Sequence, residues 1–374
     1  MTRWVKKPLA DVAEMCLGKM LDEQKNKGEM LPYLANINVR WGSFDCENLR
    51  EMRFAHNEMD RYGLKPGDIV MCEGGEPGRC AIWRESVPGM MIQKALHRIR
   101  PKSELDHRYL FYFFLHTGYI GGFAPLFTGA TIKHLPKQSL EKLEIKYPPL
   151  DQQKRVADIL STYDDLIENN RRRMALLEDS ARLLYREWFV RLRFPGYEHT
   201  RNTDGVPEGW ERKTLGECIT LNYGKALKAE IRVDGEYPVY GSSGIVGSHE
   251  KPLVKGPAII LGRKGNVGSV YWSSKSFHPI DTVYFVDAES SSLYLYYALK
   301  HMHFISTDVA VPGLNRDFAY SRPLLRPAAT ILRAFLETVT PIHAQLDKLD
   351  EMNQNLCAAR DLLLPRLMSG ELAV

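Results

Sequence analysis

No apolar run reaches the roughly eighteen residues that a membrane-spanning helix needs. The opening stretch, MTRWVKKPLADVAEM, carries charge but no apolar core of signal-peptide length. A cytoplasmic chain without membrane attachment is therefore expected. The six cysteines, at 16, 46, 72, 80, 218 and 357, form no CxxC and no paired histidine spacing. That pattern argues against a zinc site or a disulfide framework and for scattered reduced thiols. Catalytic signatures are also missing. A loop that holds a flipped base for amino-methylation needs Asn or Asp before two prolines and an aromatic after them. The nearest string, YPPL at 147–150, is wrong on both sides. The glycines in 262–268 are spaced GxxGxxG, which is neither a dinucleotide nor a phosphate loop. EIK at 144–146 lacks an upstream acidic partner for nuclease chemistry and reads as a strand. No Ser/His/Asp constellation stands out. Net charge is only +4, so any basic surface must be local.

What the chain has in excess is heptad periodicity. Between 156 and 188, Val156, Leu160, Tyr163, Ile167, Asn170, Met174, Leu177, Ala181, Leu184 and Trp188 alternate gaps of four and three, with no Pro or Gly inside. This spacing predicts a helix of roughly 50 Å with one continuous seam. The same rhythm returns at Phe335, Val339, Ile342, Leu346, Leu349, Asn353, Leu356, Arg360, Leu363 and Leu367. Each of these lies at one fixed offset from its counterpart. The chain thus carries its own partner helix. Leu160, Ile167, Asn170, Leu177, Leu346, Leu349, Asn353 and Leu356 are the expected heart of the seam, and Asn170 facing Asn353 is expected to fix its register. Pro341 is expected to kink the second helix or mark its start, and Pro365 to limit its far end.

The repeat extends beyond the helices. Trp4, Leu9, Gly18 and Lys19 match Trp210, Leu215, Gly224 and Lys225 at one offset. Ile69, Gly75 and Gly78 match Ile259, Gly265 and Gly268 at another, and both stretches read as strand, glycine turn, strand. Aromatic helical segments follow, YLFYFFLH at 109–116 and LYLYYALKH at 293–301, whose Tyr109, Phe113, Phe114, Tyr294 and Tyr297 are expected in the core. The expected fold class is α/β (α+β). Two globular domains, 1–149 and 194–327, alternate with two helical spacers, 150–193 and 328–374. The helices pair as an antiparallel coiled coil with pseudo-two-fold symmetry.

Two similar globules on a rod suit a target that is itself bipartite, and duplex DNA offers such half-sites along one face. Candidate contacts lie at the loop tips. In the first repeat they are Lys19, Asn38, Arg40, Trp41, Glu76, Arg79, Lys133 and His134. In the second they are Lys225, Tyr240, Ser242, Ser243, Arg263, Lys264, Asn266, Asn315 and Arg316. Side chains of these types read base edges and hold phosphates. Any one of them alone is more simply a solvated surface group; the argument lies in equivalent loops of both repeats. The scaffold residues recur while the tips differ, GGEPGR against RKGNVG, so the two domains are expected to read unlike sequences. Arg171, Arg172 and Arg173 beside the seam suit an acidic partner or phosphates equally well with a solvated face. The competing reading is a non-catalytic protein-binding scaffold with a coiled-coil spacer. Salt-dependent DNA affinity separates the two.

The repeat plan, together with PPLDQQKRVADILSTYDDLIENN, LKPGDIVMCEGGEPGRCAIW, TGATIKHLP and RDLLLPRLMSGEL, resembles the specificity subunit of type I restriction-modification systems. The resemblance covers essentially the whole chain. It implies two target-recognition domains, no active site and no cofactor or metal in this chain, and double-stranded DNA as ligand. It also implies two modification (M) subunits that methylate adenine with S-adenosylmethionine, and two restriction (R) subunits that use ATP and Mg. The second repeat departs from the pattern by lacking a counterpart to Gln152 and Gln153.

Overall fold

The computed structural model describes residues 4–22, 26–304 and 313–374. The chain divides into two compact units, Met1–Glu168 with Asn353–Val374, and Asn169–Met352. The division falls inside both long helices. Each unit therefore owns one globule and one part of each helix, which differs from the four-segment plan drawn from the sequence. The physical reason is that the outer seam residues join their own globule's core, Val156, Leu160 and Leu367 in the first unit and Ala181, Phe335 and Val339 in the second.

Both units are built on the same sheet. In the first, Ala13–Leu17, Leu96–Pro101, Ile69–Cys72 and Cys80–Ile82 lie side by side in that order, all antiparallel. In the second, Asn222–Tyr223, Val283–Val286, Ala258–Gly262 and Val270–Ser273 repeat the arrangement. The strands Ile69–Cys72 and Ala258–Gly262 are buried along their full length, as their unbroken small and apolar sequences IVMC and AIILG require of a strand covered on both faces. A second, three-stranded sheet also recurs, with Glu29–Leu34 central in one unit and Tyr237–Gly241 in the other. Each central strand has one antiparallel and one parallel neighbour. Terminal strand pairs close each globule: Val5–Pro8 on Glu144–Tyr147, and Glu211–Thr214 on Pro323–Arg326. EIK is thus strand.

Register separates two tryptophans that look alike in sequence. Ile69 stands opposite Ile82, and Ile259 opposite Trp272. Trp272 therefore occupies the place of Ile82. Trp83, one residue later, points to the other face, because successive side chains in a strand alternate. It is buried with Leu34 and Val39, while Trp272 packs with Tyr296 and the main cluster of the second unit.

The aromatic helices His107–Tyr119 and Leu293–His301 cover the sheets. As expected, Tyr109 and Phe114 are buried in the first unit with Phe113 packed against their cluster, and Tyr294 and Tyr297 are buried in the second. Asp106 caps the first helix by accepting from the backbone N–H groups of Arg108 and Tyr109, and Ser292 caps the second.

The first long helix runs Leu150–Tyr185 and passes into a π turn at Arg186–Val190. The second runs Ala329–Ser369 without a break. Pro341 and Pro365 thus neither start nor end it, contrary to expectation. Each proline forfeits one main-chain hydrogen bond, at a cost near 3 kcal/mol. Both rings are exposed, and the buried Val339, Leu364 and Leu367 around them keep the helix against its core. The helix ends where Gly370 adopts a left-handed conformation at φ +80°.

Within each unit the two helical parts run antiparallel. In the first, Val156 and Leu160 share a core with Leu364 and Leu367. In the second, Trp188 and Phe189 meet Phe335, with ring centroids 6.0 and 4.9 Å apart. No heptad position of either helix is exposed: Leu160, Ile167, Asn170, Leu349 and Asn353 are buried, and Leu177, Leu346 and Leu356 half-buried. Arg360, a seam residue, is tolerated because Asp164 and Asp361 neutralise it.

Candidate nucleic-acid interface

Three loops meet on one face of each unit, and the scaffold dictates where. The turn after Ile69–Cys72 needs left-handed residues at Gly75 (φ +82°) and Gly78 (φ +93°), and the turn after Ala258–Gly262 needs them at Gly265 (φ +80°) and Gly268 (φ +78°). Any Cβ at Gly78 would sit 2.7 Å from the Phe123 ring, and one at Gly268 3.0 Å from Phe304. The shared glycines are therefore requirements of this turn.

In the first unit, Asn36 donates from Nδ2 to the Gly74 carbonyl at 3.4 Å. The loop from Thr128 to His134 closes on itself through two main-chain bonds of 2.8 and 2.9 Å, and His134 bridges to Gly74. The exposed tips of this face are Arg40, Glu76, Lys133 and His134, with Ile37 and Ile132 beside them. In the second unit, the Ser242 carbonyl accepts from Ser269 Oγ at 2.7 Å and from the Tyr271 hydroxyl at 3.0 Å. The N–H groups of Arg263 and Lys264 both donate to the Thr282 carbonyl, at 2.9 and 3.1 Å. Leu314 N–H donates to the Arg263 carbonyl at 2.8 Å. The exposed tips there are Lys225, Ser243, Lys264, Asn266, Asn315 and Arg316, with Ile245. The short loop TGATIKHL at 128–135 has its second-repeat counterpart in VAVPGLNRDF at 309–318, of which residues 309–312 lie outside the described residues.

Several sequence-derived candidates are occupied by the fold. Lys19 is buried, ion-paired with Glu58, bonded to the Arg53 carbonyl and seated over the Phe54 ring. Its repeat counterpart Lys225 is exposed. Asn38 spends both ends of its amide locally, accepting from Ala35 N–H and donating to the Asp45 carbonyl. Trp41 packs against the first core and over Gly118. Arg79 folds back on Glu76 and on the Asn36 carbonyl. Tyr240 is core, beside Phe277 and Tyr271, and burial raises its hydroxyl pKa. Ser242 is buried under the glycine turn. Asn315 is exposed, but its Oδ1 caps a short helix by accepting from Asp317 and Phe318 N–H. Arg40 lies exposed beside Asp45 at 3.6 Å. These residue types satisfy their polar groups inside their own turns before any ligand arrives.

The structure also brings forward residues that the sequence reading passed over: Asn36, Thr282, Tyr223 and Ile245. The available signal was a change of repeat offset. Between the Gly18/Gly224 match and the Ile69/Ile259 match the second repeat is shorter. The fold puts much of that difference in one connection, residues 35–49 in the first unit against Ser242 and Ser243 in the second. It lies on the loop face, so the two faces differ most in shape at this point.

The chain matches the family model described as type I restriction modification DNA specificity domain over residues 1–179 and 207–317. It belongs to that family, as a DNA sequence-specificity subunit. It is 24% identical to the type I restriction enzyme MjaIX specificity subunit of Methanocaldococcus jannaschii, over 99% of this chain and 94% of that one. It is 22% identical to the HindI specificity subunit of Haemophilus influenzae, over 65% of this chain and 72% of that one. A crystal structure of a type I restriction-modification S subunit from M. genitalium shares the fold, with a TM-score of 0.59 and 20% identity over 98% of this chain and 96% of that one. Among the described residues no helix is long and apolar enough to cross a membrane.

Proposed function

We propose that each unit reads one half of an asymmetric, bipartite site in double-stranded DNA through its loop face. The observation that carries this reading is the repeated convergence of three loops on one scaffold with unlike exposed tips. Arg40, Glu76, Lys133 and His134 stand on one face, and Ser243, Lys264 and Asn266 on the other. Different donors and acceptors select different base edges. The paired long helices hold the two readers at a set separation and so define an unread gap between the half-sites. Asn170 and Asn353 fix the helical register. The helices dock two M subunits, which methylate adenine with S-adenosylmethionine, and the full complex adds two R subunits that cut DNA with ATP and Mg. This chain supplies specificity to that cytoplasmic complex.

The test is a map of methylated adenines in genomic DNA, with this chain and its methyltransferase partner present and with this chain deleted. A split motif, two unlike halves around a fixed gap, is expected to vanish on deletion. Unchanged methylation in the deletion strain would refute the specificity role.

A further inference from the structure

The second unit gathers two arginines on one exposed tyrosine. The Arg263 guanidinium carbon lies 5.2 Å from the centroid of the Tyr223 ring, and that of Arg316 lies 5.5 Å from it. Each is also held by a second ring: Arg263 by Tyr284 at 5.7 Å, and Arg316 by Tyr320 at 5.9 Å. Both distances to Tyr223 being short, the guanidinium carbons are no more than about 11 Å apart. Cations over aromatic faces gain electrostatic attraction without losing their charge.

Among the described residues no carboxylate lies within ion-pair distance of either arginine. Arg263 donates to the main-chain carbonyl of Asp281 at 3.1 Å, and its Nε is buried with no partner. The fold thus concentrates two cations that no carboxylate among the described residues neutralises on the loop face, with Lys264 following Arg263 and Lys225 two residues beyond Tyr223. The first unit does not repeat the device. At the repeat offsets, Leu17 stands for Tyr223 and Glu73 for Arg263.

We infer that Arg263 and Arg316, laid on Tyr223, form a clamp for the phosphate backbone of DNA and anchor the second unit without reading sequence. This rests on the DNA-reading role proposed above. An arginine that reads guanine extends its fork end-on to the base edge. These two are laid against rings, and Arg263 is pinned at one terminal nitrogen, so reach is sacrificed for a fixed plane of N–H groups. A fixed plane of donors suits a phosphate oxygen at the surface. The clamp therefore assigns Arg263 to backbone anchoring, not to base reading.

The test uses the full chain bound to its methyltransferase partner and fluorescein-labelled duplexes. One duplex carries the methylated motif; others carry one half scrambled. Affinity is measured by anisotropy across a salt series for the wild type, Arg263→Gln and Arg316→Gln. Each variant is expected to bind all duplexes several-fold more weakly, by the same factor. The slope of log affinity against log salt should become shallower by about one per arginine removed. The methylated motif should not change. Altered base preference in the second half would overturn the clamp in favour of base reading. Unchanged affinity and slope in Arg316→Gln would overturn it outright, and this exposed residue decides the matter if Arg263→Gln lowers the melting temperature. A wild-type complex that does not prefer the motif over scrambled duplex would instead overturn the specificity reading, and the clamp with it.

Discussion

The Tyr297 hydroxyl meets His343 Nε2 at 2.8 Å inside the second unit. The repeat makes this contact informative. The offset that carries Tyr109 to Tyr294 carries Tyr112 to Tyr297, and the offset that carries Leu160 to Val339 carries Asp164 to His343. In the first unit the Tyr112 hydroxyl donates to Asp164 Oδ2 at 2.6 Å. Both globules are therefore tied to a long helix at the same place, by a tyrosine from the aromatic helix. One tie ends on a carboxylate and the other on an imidazole, so the two should respond differently to pH and to mutation.

Burial holds the His343 pKa down to about 4, with Glu178 opposing the shift and Lys300 adding to it. An unfolded histidine titrates near 6.5. Between these values the unfolded state takes up a proton that the folded state refuses. Stability is then full above pH 6.5 and falls as pH drops toward 4, by about 2–3 kcal/mol for this group. Urea unfolding of the wild type and His343→Gln at pH 7.5 and pH 5 checks this. The variant should lose less stability between the two pH values than the wild type does.

Arg360 pairs with Asp164 and Asp361, and Asp164 also accepts from Tyr112. Burial disfavours the Arg360 charge, yet the two carboxylates raise its pKa on balance. Arg360→Ala leaves Asp164 largely enclosed without its cation. A loss of about 2–3 kcal/mol is expected, because removing one member of an enclosed pair strands the other. Arg360→Leu combined with Asp164→Leu should recover most of it. Thermal melting of the two variants compares them, and equal losses would contradict the argument.

Lys264 and Asn266 are exposed at the tip of the second glycine turn, and Arg79 at the first is folded back. Alanine at Lys264 and Asn266 together should relax base preference in one half of the methylated motif and leave the other half intact. Methylome sequencing of cells carrying the double variant reads this directly. Relaxation of both halves would show that the turn does not read bases.

Adding one heptad to each long helix preserves the four-three phase of both seams. Seven residues add about 10 Å of helix, close to three base pairs of duplex. The unread gap in the methylated motif should lengthen by about that amount, with both halves unchanged. An altered half-site around the original gap would contradict a helical ruler.

Some features were readable because they depend on spacing. The seam residues repeat every seven positions, and a helix turns that spacing into one face whatever surrounds it. The four glycines of the two turns were visible because only glycine adopts their backbone conformation freely. The sheet order recurs because the strands recur. The prolines misled, since a local cost near 3 kcal/mol yields to a seam buried along a helix of 41 residues.

The sequence alone thus settled the repeat, the long helices and the family. Each of these is written in periodicity or motif, which survive without knowledge of who touches whom. The tertiary structure decided which polar tips are available. Lys19 is buried on Glu58 while Lys225 is exposed, although the two align in the repeat. Tyr240 and Ser242 are core, Asn38 and Asn315 cap their own turns, and Arg263 and Arg316 lie on Tyr223. A side chain's partners come from segments far away along the chain, and only folding brings those segments within hydrogen-bonding distance.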